Sequence, residues 1–217
     1  MNSNEMQIIA PFGPVIASGY LSDEVLKLLN EDFEKKISDK SGDCHEDLAG
    51  YLDIEKSASS EVRDPFLQEI IPLISAYING CNPKNAENRY NITMTNMWYN
   101  EYSGDDFNPL HMHYQDASVL FYLNSFETTE RSEKYTRSTA SNSSIPGGTI
   151  FTHPSTSTLS SSTYCVKPEV GKVLVFPASL LHCVYPAQYL TPRRTGSANF
   201  TIELTAAIDV SNIDIGM

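Results

Sequence analysis

The chain has 217 residues, of which 41% are hydrophobic and 19% are charged, and its formal net charge is −12. This length and composition support one domain, or at most two small ones, with a sizeable core, and they exclude wholesale disorder. A nucleic-acid-binding domain normally presents a basic face, so the acidic charge argues against that class of protein.

The cysteines give a second constraint. Cys44, Cys81, Cys165 and Cys183 are widely spaced and contain no C-x-x-C pair. This spacing suits neither a zinc motif nor a disulfide scaffold, and it predicts reduced thiols in a cytoplasmic protein. The first residues lack the basic and apolar regions of a signal peptide, and no window is apolar enough to span a membrane. We therefore expect neither nucleic acid nor membrane as a partner.

The first third of the chain predicts two helices after an edge strand with a turn in residues 6–20. Ser22 is a typical N-cap, and apolar residues recur at three- and four-residue spacing through residues 25–37. Asp64-Pro65 is typical of the start of a second helix, which Gly80 should end. These helices carry no evident chemistry, and we expect them to cover one face of a sheet.

From Asn91 onward the pattern changes to the two-residue period of strands. Strands are predicted at 92–102, from the histidine pair to about 124, and at 147–151, 172–176 and 194–205. The polar residues 127–147 predict an exposed excursion or lid. Helices followed by many short strands indicate an α+β fold whose second part is a β-sandwich or jelly roll. We expect a single domain over 1–217, with helical support at 20–80 and the β core at 91–205.

Two histidines, His111 and His113, stand two residues apart just before an apolar run that is typical of a buried strand. Side chains at i and i+2 of a strand share a face, so both imidazoles are predicted to converge. His182 follows another strand and is the third candidate, and imidazole ligands suit iron, zinc, copper or nickel. A histidine pair alone does not establish a metal site, because histidines also occur as hydrogen-bonded polar residues in half-buried strands. His45 and His153 have no paired neighbour, and we predict that neither is catalytic.

Further polar residues gather around these histidines. Arg193 and Arg194 begin the last predicted strand, which a loop returns beside His182, and an arginine there offers a fork for a carboxylate. The alternation of a regular strand favours Arg193, but Arg194 stays open. Tyr122 is placed to direct its hydroxyl at the same carboxylate. Tyr102 and Asn108 flank a turn before His111, where they are placed to hydrogen-bond a metal-bound small molecule.

These segments resemble the iron(II)/2-oxoglutarate-dependent oxygenases. Residues 98–123 carry the similarity through Gly104, Asn108, the H-x-H pair and a Phe-Tyr-Leu-Asn sequence at 121–124. Residues 168–186 match the family pattern P-x-x-G-x-L-L-x-F-P-x-x-L-x-H-x-V-x-P, and residues 193–199 match R-x-S-x-x-x-N. The resemblance is closest to members from phages and marine bacteria, and more distant to prolyl hydroxylases. It is weak or absent at 127–163.

The resemblance implies a double-stranded β-helix, or jelly roll, with the N-terminal helices packed on one sheet. It implies a dioxygenase that uses Fe(II), O₂ and the cosubstrate 2-oxoglutarate (2OG), and that hydroxylates an unidentified small molecule or peptide with release of succinate and CO₂. The implied metal ligands, which are also the catalytic residues, are His111, His113 and His182. The implied cosubstrate-binding residues are Arg193, Tyr122, Asn108 and Tyr102.

One departure from the superfamily concerns the second metal ligand. Most members have H-x-D or H-x-E, whereas this chain has His113 at that position. The nearer relatives also have H-x-H, which favours His113 over the alternative carboxylate of Asp116. The competing hypothesis is a non-catalytic metal- or ligand-binding protein of the jelly-roll or cupin-like type. A three-histidine dioxygenase without a cosubstrate is a third possibility, which would leave Arg193 and Tyr122 unexplained.

Overall fold

The computed structural model describes residues 6–9, 13–44, 48–81, 89–138, 145–154 and 162–206. Within these residues there are three helices and eleven strands. In chain order they are β1 (Gln7–Ile9), β2 (Ile16–Tyr20), α1 (Asp23–Ser38), β3 (Ile54–Ser57), α2 (Ser60–Cys81), β4 (Arg89–Gly104), β5 (Asn108–His111), β6 (Ala117–Tyr122), α3 (Glu130–Ser138), β7 (Thr149–Thr152), β8 (Thr163–Val166), β9 (Lys172–Pro177), β10 (Leu181–Val184) and β11 (Tyr189–Ala206). The prediction made for His45 falls outside the described residues.

The strands form two antiparallel sheets that face each other as a jelly roll. The larger sheet has seven strands in the order β1-β2-β9-β6-β11-β4-β3, and the smaller has four in the order β5-β10-β7-β8. The neighbours β9, β6, β11 and β4 alternate their side chains between the two faces of the larger sheet. One face therefore meets the helices, and the other meets the smaller sheet. The α+β jelly-roll prediction is confirmed.

The alternation on β6 shows how the two faces are filled. Val119 and Phe121 belong to the apolar cluster that includes α1 and α2, and the Phe121 ring lies 4.7 Å from that of Phe66. Leu120 and Tyr122 belong to a second cluster, between the sheets. All six β6 side chains are buried. The sequence pattern is therefore a continuous apolar run, as expected for a strand covered on both sides.

The N-terminus of α1 agrees with the sequence, but that of α2 does not. The Ser22 hydroxyl accepts from the Val25 N–H, as predicted for an N-cap. Helix α2 begins at Ser60, so the predicted start at Asp64 is wrong. Val62 is buried, which gives this earlier turn a packed side. The Asp32 carboxylate also accepts from the Ser59 N–H at 3.0 Å, just before the helix.

Two other boundaries differ from the prediction. The excursion at 127–147 contains α3, whose first turn is capped when the Thr129 hydroxyl accepts from the Ser132 N–H at 3.3 Å. Strand β11 begins at Tyr189 rather than Arg194, because Tyr189 already pairs with Gly104 of β4. The register shifts between Tyr189 and Arg193. That irregular stretch accommodates Pro192, which has no N–H to donate to a ladder.

Two further features concern the whole described chain. No helix in the described ranges has the length and apolar composition that crossing a bilayer requires. All four cysteines are free thiols.

Candidate active site

Three imidazoles converge between the two sheets. One ring nitrogen from each of His111, His113 and His182 lies within 4.8 Å of the others. The ring centroids are 4.2 Å apart for His111 and His182, 5.1 Å for His111 and His113, and 5.3 Å for His113 and His182. No other group of three or more histidine, cysteine or acidic side chains meets in this way within the described ranges. This arrangement is suited to a single metal ion.

The convergence does not arise in the way the sequence predicted. His111 is the last residue of β5 and pairs directly with His182 of β10. His113 lies beyond the strand, in the connection that carries the chain from the smaller sheet to β6 of the larger. Its N–H donates to the Ala178 carbonyl at 2.8 Å, which fixes this connection. The prediction that both histidines share one strand is therefore wrong, although their side chains meet.

Backbone carbonyls orient two of the rings. The Nδ1 atom of His111 lies 2.7 Å from the Pro109 carbonyl oxygen, and that of His182 lies 2.8 Å from the Leu180 carbonyl oxygen. A carbonyl can only accept, so each contact selects the tautomer with the proton on Nδ1. The Nε2 lone pair is then left for a metal, as in most histidine-ligated centres.

Burial keeps the imidazoles in the neutral form that binds metal. It lowers the pKa of His182 to about 3 and that of His113 to about 4, and the neighbouring His111 adds to both effects. Burial also lowers the pKa of His111. Because only the neutral ring offers a lone pair, the three side chains are ready ligands at neutral pH.

Asp116, the alternative ligand, faces elsewhere. Its side chain is exposed, and its carboxylate accepts from the Ile202 N–H at 2.8 Å. It does not belong to the cluster of ligand atoms formed by the three histidines. The geometry therefore favours His113 as the third ligand.

Arg193 is fully buried, and its guanidinium has no hydrogen-bond partner among the described residues. Its Cζ lies 4.4 Å from the centroid of the Tyr102 ring, 5.5 Å from that of Tyr122 and 6.0 Å from that of Phe126. An unpaired buried charge is costly, and aromatic faces offset only part of that cost. Three unused nitrogens thus define a place for an anionic group.

The next residue along the chain has a different role. Arg194 points to the opposite face of β11, where its Nε donates to Glu101 at 2.6 Å and its Nη1 pairs with Glu34. Both hydrogen-bonding sides of this guanidinium are thus engaged in a structural network. Of the two arginines that the sequence left open, only Arg193 is available to a ligand.

Three more predicted residues lie around the same pocket. The Tyr122 hydroxyl is 2.8 Å from the Thr149 hydroxyl, and burial raises the pKa of Tyr122 to about 12. Tyr102 and Asn108 line the pocket together with the three histidines, and the Asn108 Oδ1 has no partner among the described residues. Burial raises the pKa of Tyr102, so both phenols stay protonated donors.

Sequence reasoning did not single out a polar row that crosses four strands here. The register aligns Tyr122 of β6, Thr195 of β11, Asn100 of β4 and Glu55 of β3 side by side. The Thr195 hydroxyl, the Asn100 Oδ1 and the Glu55 Oε2 are buried without a partner in the described chain. Alternation along β11 places Thr195 on the same face of the strand as Arg193, so the sequence does indicate this member of the row. Nothing in the sequence joins Glu55 to this row, because β3 pairs with β4 only in the tertiary structure.

The family model described as "Putative 2OG-Fe(II) oxygenase" matches residues 96–199. This range contains the three histidines and Arg193. The matched residues make up slightly less than half of the chain, and over them the chain is similar to the iron(II)/2-oxoglutarate-dependent oxygenases. This match supports an oxidoreductase, a dioxygenase that uses Fe(II) and 2OG.

Solved structures share the oxygenase fold. A prolyl-4-hydroxylase from Pseudomonas putida is 15% identical, with a TM-score of 0.55 over 86% of this chain and 91% of that one. HygX from Streptomyces hygroscopicus, solved with nickel and 2-oxoglutarate bound, is 10% identical, with a TM-score of 0.56 over 88% and 83%. A prolyl hydroxylase from Trichoplax adhaerens, in complex with a hypoxia-inducible-factor peptide, is 14% identical, with a TM-score of 0.52 over 92% and 84%. No curated protein matches the sequence.

The donor set of this oxygenase fits the implied cofactor. Three neutral imidazoles are good ligands for Fe(II), and the buried unpaired guanidinium suits the dianionic cosubstrate. A metal held by these three imidazoles would receive no negative charge from the protein, and its centre would keep a larger positive charge than a two-histidine, one-carboxylate site.

Proposed function

We propose that His111, His113 and His182 hold Fe(II) in this dioxygenase and that the enzyme hydroxylates its substrate. The observation that carries the assignment is the approach of three imidazole nitrogens to within 4.8 Å of one another in a half-buried pocket. Two rings are held by backbone carbonyls on the side away from the cluster, so their Nε2 atoms face a common point.

In this proposal Arg193 pairs with the far carboxylate of 2OG. The guanidinium is fully buried and has three unused nitrogens, so an incoming carboxylate meets donors that have no competing partner. Charge-assisted, bidentate pairing of this kind is among the strongest polar interactions in proteins. Thr195, two residues further along the same face, adds a buried hydroxyl without a partner.

When bound, Fe(II) and 2OG supply the oxidation chemistry with O₂, and the cosubstrate leaves as succinate and CO₂. The residues of this chain bind, orient and exclude water. The Tyr122 and Thr149 hydroxyls hydrogen-bond to each other at one side of the site. Phe151 and Phe176 pack against the His182 ring and exclude water from it. Tyr102 and Asn108 give the pocket further polar groups beside Arg193.

The substrate is proposed to be a small molecule or a peptide. The peptide-bound prolyl hydroxylase shares the fold, and its complex supports only the possibility of a peptide. A reducing compartment such as the cytoplasm suits the free thiols.

Succinate formation tests the activity. The purified protein, incubated in air with Fe(II), ascorbate and 2OG, should form succinate slowly even without substrate. His182→Ala should abolish this turnover, and Arg194→Met should preserve it, since Arg194 lies on the other face of β11. A protein that forms no succinate, while binding both metal and 2OG, would favour the non-catalytic binding protein, for which the missing ligand carboxylate is the supporting observation.

A further inference from the structure

Three polar side chains line the pocket on the β4 and β11 side without any hydrogen-bond partner for their donor groups within the described chain. They are the Trp98 indole N–H, the Ser197 hydroxyl and the Asn199 amide. Ser197 pairs directly with Trp98 in the register of β4 and β11, and Asn199 follows two residues later on the same face. The Trp98 ring meets the His113 ring edge-on at 5.8 Å. These donors therefore lie next to the metal-ligand cluster.

The orientation of the Asn199 amide is fixed. Its side chain is 2% exposed, and the Ser118 hydroxyl donates to its Oδ1 at 2.7 Å. The acceptor half of the amide is thereby engaged. The Nδ2 has no partner in the described ranges, so Asn199 presents two N–H donors to the pocket. Because Asn199 lines the pocket, a ligand oxygen can replace water as the acceptor for these N–H groups.

This group of donors is separate from the proposed cosubstrate end. Along β11, Arg193 lies six residues before Asn199, and Ser197 lies between them. Asn96, which is exposed, pairs with Asn199 at the far end of the pocket. Among the described residues, no lysine, arginine, aspartate or glutamate is part of the pocket lining itself, and the Arg193 guanidinium lies behind it, 4.4 Å from the ring centroid of the lining residue Tyr102.

We propose that Asn199, with Trp98 and Ser197, binds the substrate through a neutral carbonyl oxygen, as in an amide. This inference rests on the proposed function and specifies the chemistry of the substrate. The Trp98 indole and the Asn199 Nδ2 can only donate, and the Ser197 hydroxyl beside them can donate as well, so these three side chains favour an oxygen over an ammonium or guanidinium group. Arg193 lies at the proposed cosubstrate end, and no lysine or arginine is in the lining beside Trp98, Ser197 and Asn199. This favours a neutral carbonyl there over a second carboxylate, whose burial without an ion pair is costly. Ser118 is a positioning residue, since it acts on the substrate only through Asn199.

Small probes test this on the protein loaded with Mn(II) and 2OG. The relaxation rate of probe methyl protons reports their approach to Mn(II), and N-methylacetamide, acetate and methylammonium differ in charge and acceptor. We expect a strong enhancement for N-methylacetamide and a weak one for methylammonium. In Asn199→Leu the amide signal should fall about threefold or more, the loss of one neutral hydrogen bond. Ser118→Ala should cause a smaller loss, because the amide is then free to turn.

Asn199→Asp is the matched control, since it keeps the shape of the side chain and replaces the donor by an acceptor. It should also lose the amide signal, and it serves in place of Asn199→Leu if the leucine variant does not fold. Titrations with Mn(II) and 2OG on every variant show whether the metal site is intact. Equal amide signals in wild type and both variants overturn the proposal, as does a signal from acetate alone that depends on Asn199. A wild-type protein that binds neither Mn(II) nor 2OG overturns the proposed function itself.

Discussion

Replacing Arg193 with methionine should weaken 2OG binding by about 100-fold or more and leave metal binding nearly unchanged. The substitution keeps a long apolar side chain among Tyr102, Tyr122 and Phe126 but removes a buried guanidinium whose three nitrogens have no partner within the described chain. Because Arg193 lies on β11 and the proposed ligands lie on β5, β10 and the connection after β5, the metal site should persist.

The magnitude follows from the burial and isolation of the guanidinium. Removing one partner of a buried, hydrogen-bonded charge pair costs about 2–5 kcal/mol, which corresponds to about 30-fold to a few thousand-fold in affinity. Arg193 is 0% exposed, so water does not replace it well, and the upper part of this range applies. The unliganded protein should not lose stability, because an unpaired buried charge is removed.

Calorimetric titration of 2OG into the Mn(II)-loaded protein measures the affinity, and thermal unfolding measures the stability. Arg194→Met is the matched control. It should leave 2OG affinity within about threefold and reduce stability by about 1–3 kcal/mol, because Glu101 and Glu34 lose their partner. If Arg193→Met bound 2OG as tightly as the wild type, the assignment of the cosubstrate carboxylate to Arg193 would be wrong.

Three other features are each tested by substitution. His113→Ala should weaken Mn(II) binding at least about tenfold, while Asp116→Asn should change it less than twofold; the reverse order in a calorimetric titration would make Asp116 the ligand. Burial raises the pKa of Glu55 to about 7, so the folded protein loses stability as pH rises from about 4.5 through 7. Glu55→Gln should remove this loss. In urea unfolding at pH 8, the variant should be more stable than the wild type by about 1–3 kcal/mol, and at pH 4 the two proteins should have similar free energies of unfolding. Gly196→Ala should destabilise the protein by about 1–3 kcal/mol, because its Cβ would lie 2.0 Å from the Phe121 ring. Adding Phe121→Leu to this variant should restore part of the lost stability in urea unfolding. If the double variant recovered no stability, the steric explanation would be wrong.

The sequence was most informative where one local pattern carries the whole signal. Alternation along β11 placed Arg193 and Arg194 on opposite faces, and the structure gives the two arginines opposite environments. The Ser22 N-cap is equally local, since the hydroxyl and the N–H that it accepts from are three residues apart. Periodicity of this kind depends only on the geometry of a strand or a helix, so it survives folding.

The predictions were wrong where contacts between residues far apart in the sequence determine the local structure. Helix α2 begins one turn earlier than predicted because Val62 packs in the core and because the Asp32 carboxylate of α1 accepts a hydrogen bond from the Ser59 N–H, just before the helix. His113 lies off the strand because the chain must cross from the smaller sheet to the larger one between His111 and Ala117. Local propensity does not contain either cause.

The sequence by itself determined the types of side chain available to the site: imidazoles, an arginine and a series of hydroxyls and amides along one strand. The tertiary structure alone decided which of them meet. It paired β5 with β10 so that His111 faces His182, and it left the Arg193 guanidinium unpaired while Arg194 found Glu101. The physical reason is that side-chain chemistry is fixed by each residue, whereas sheet register and packing fix the proximity of residues far apart in the chain, such as Glu101 and Arg194, which are 93 positions apart.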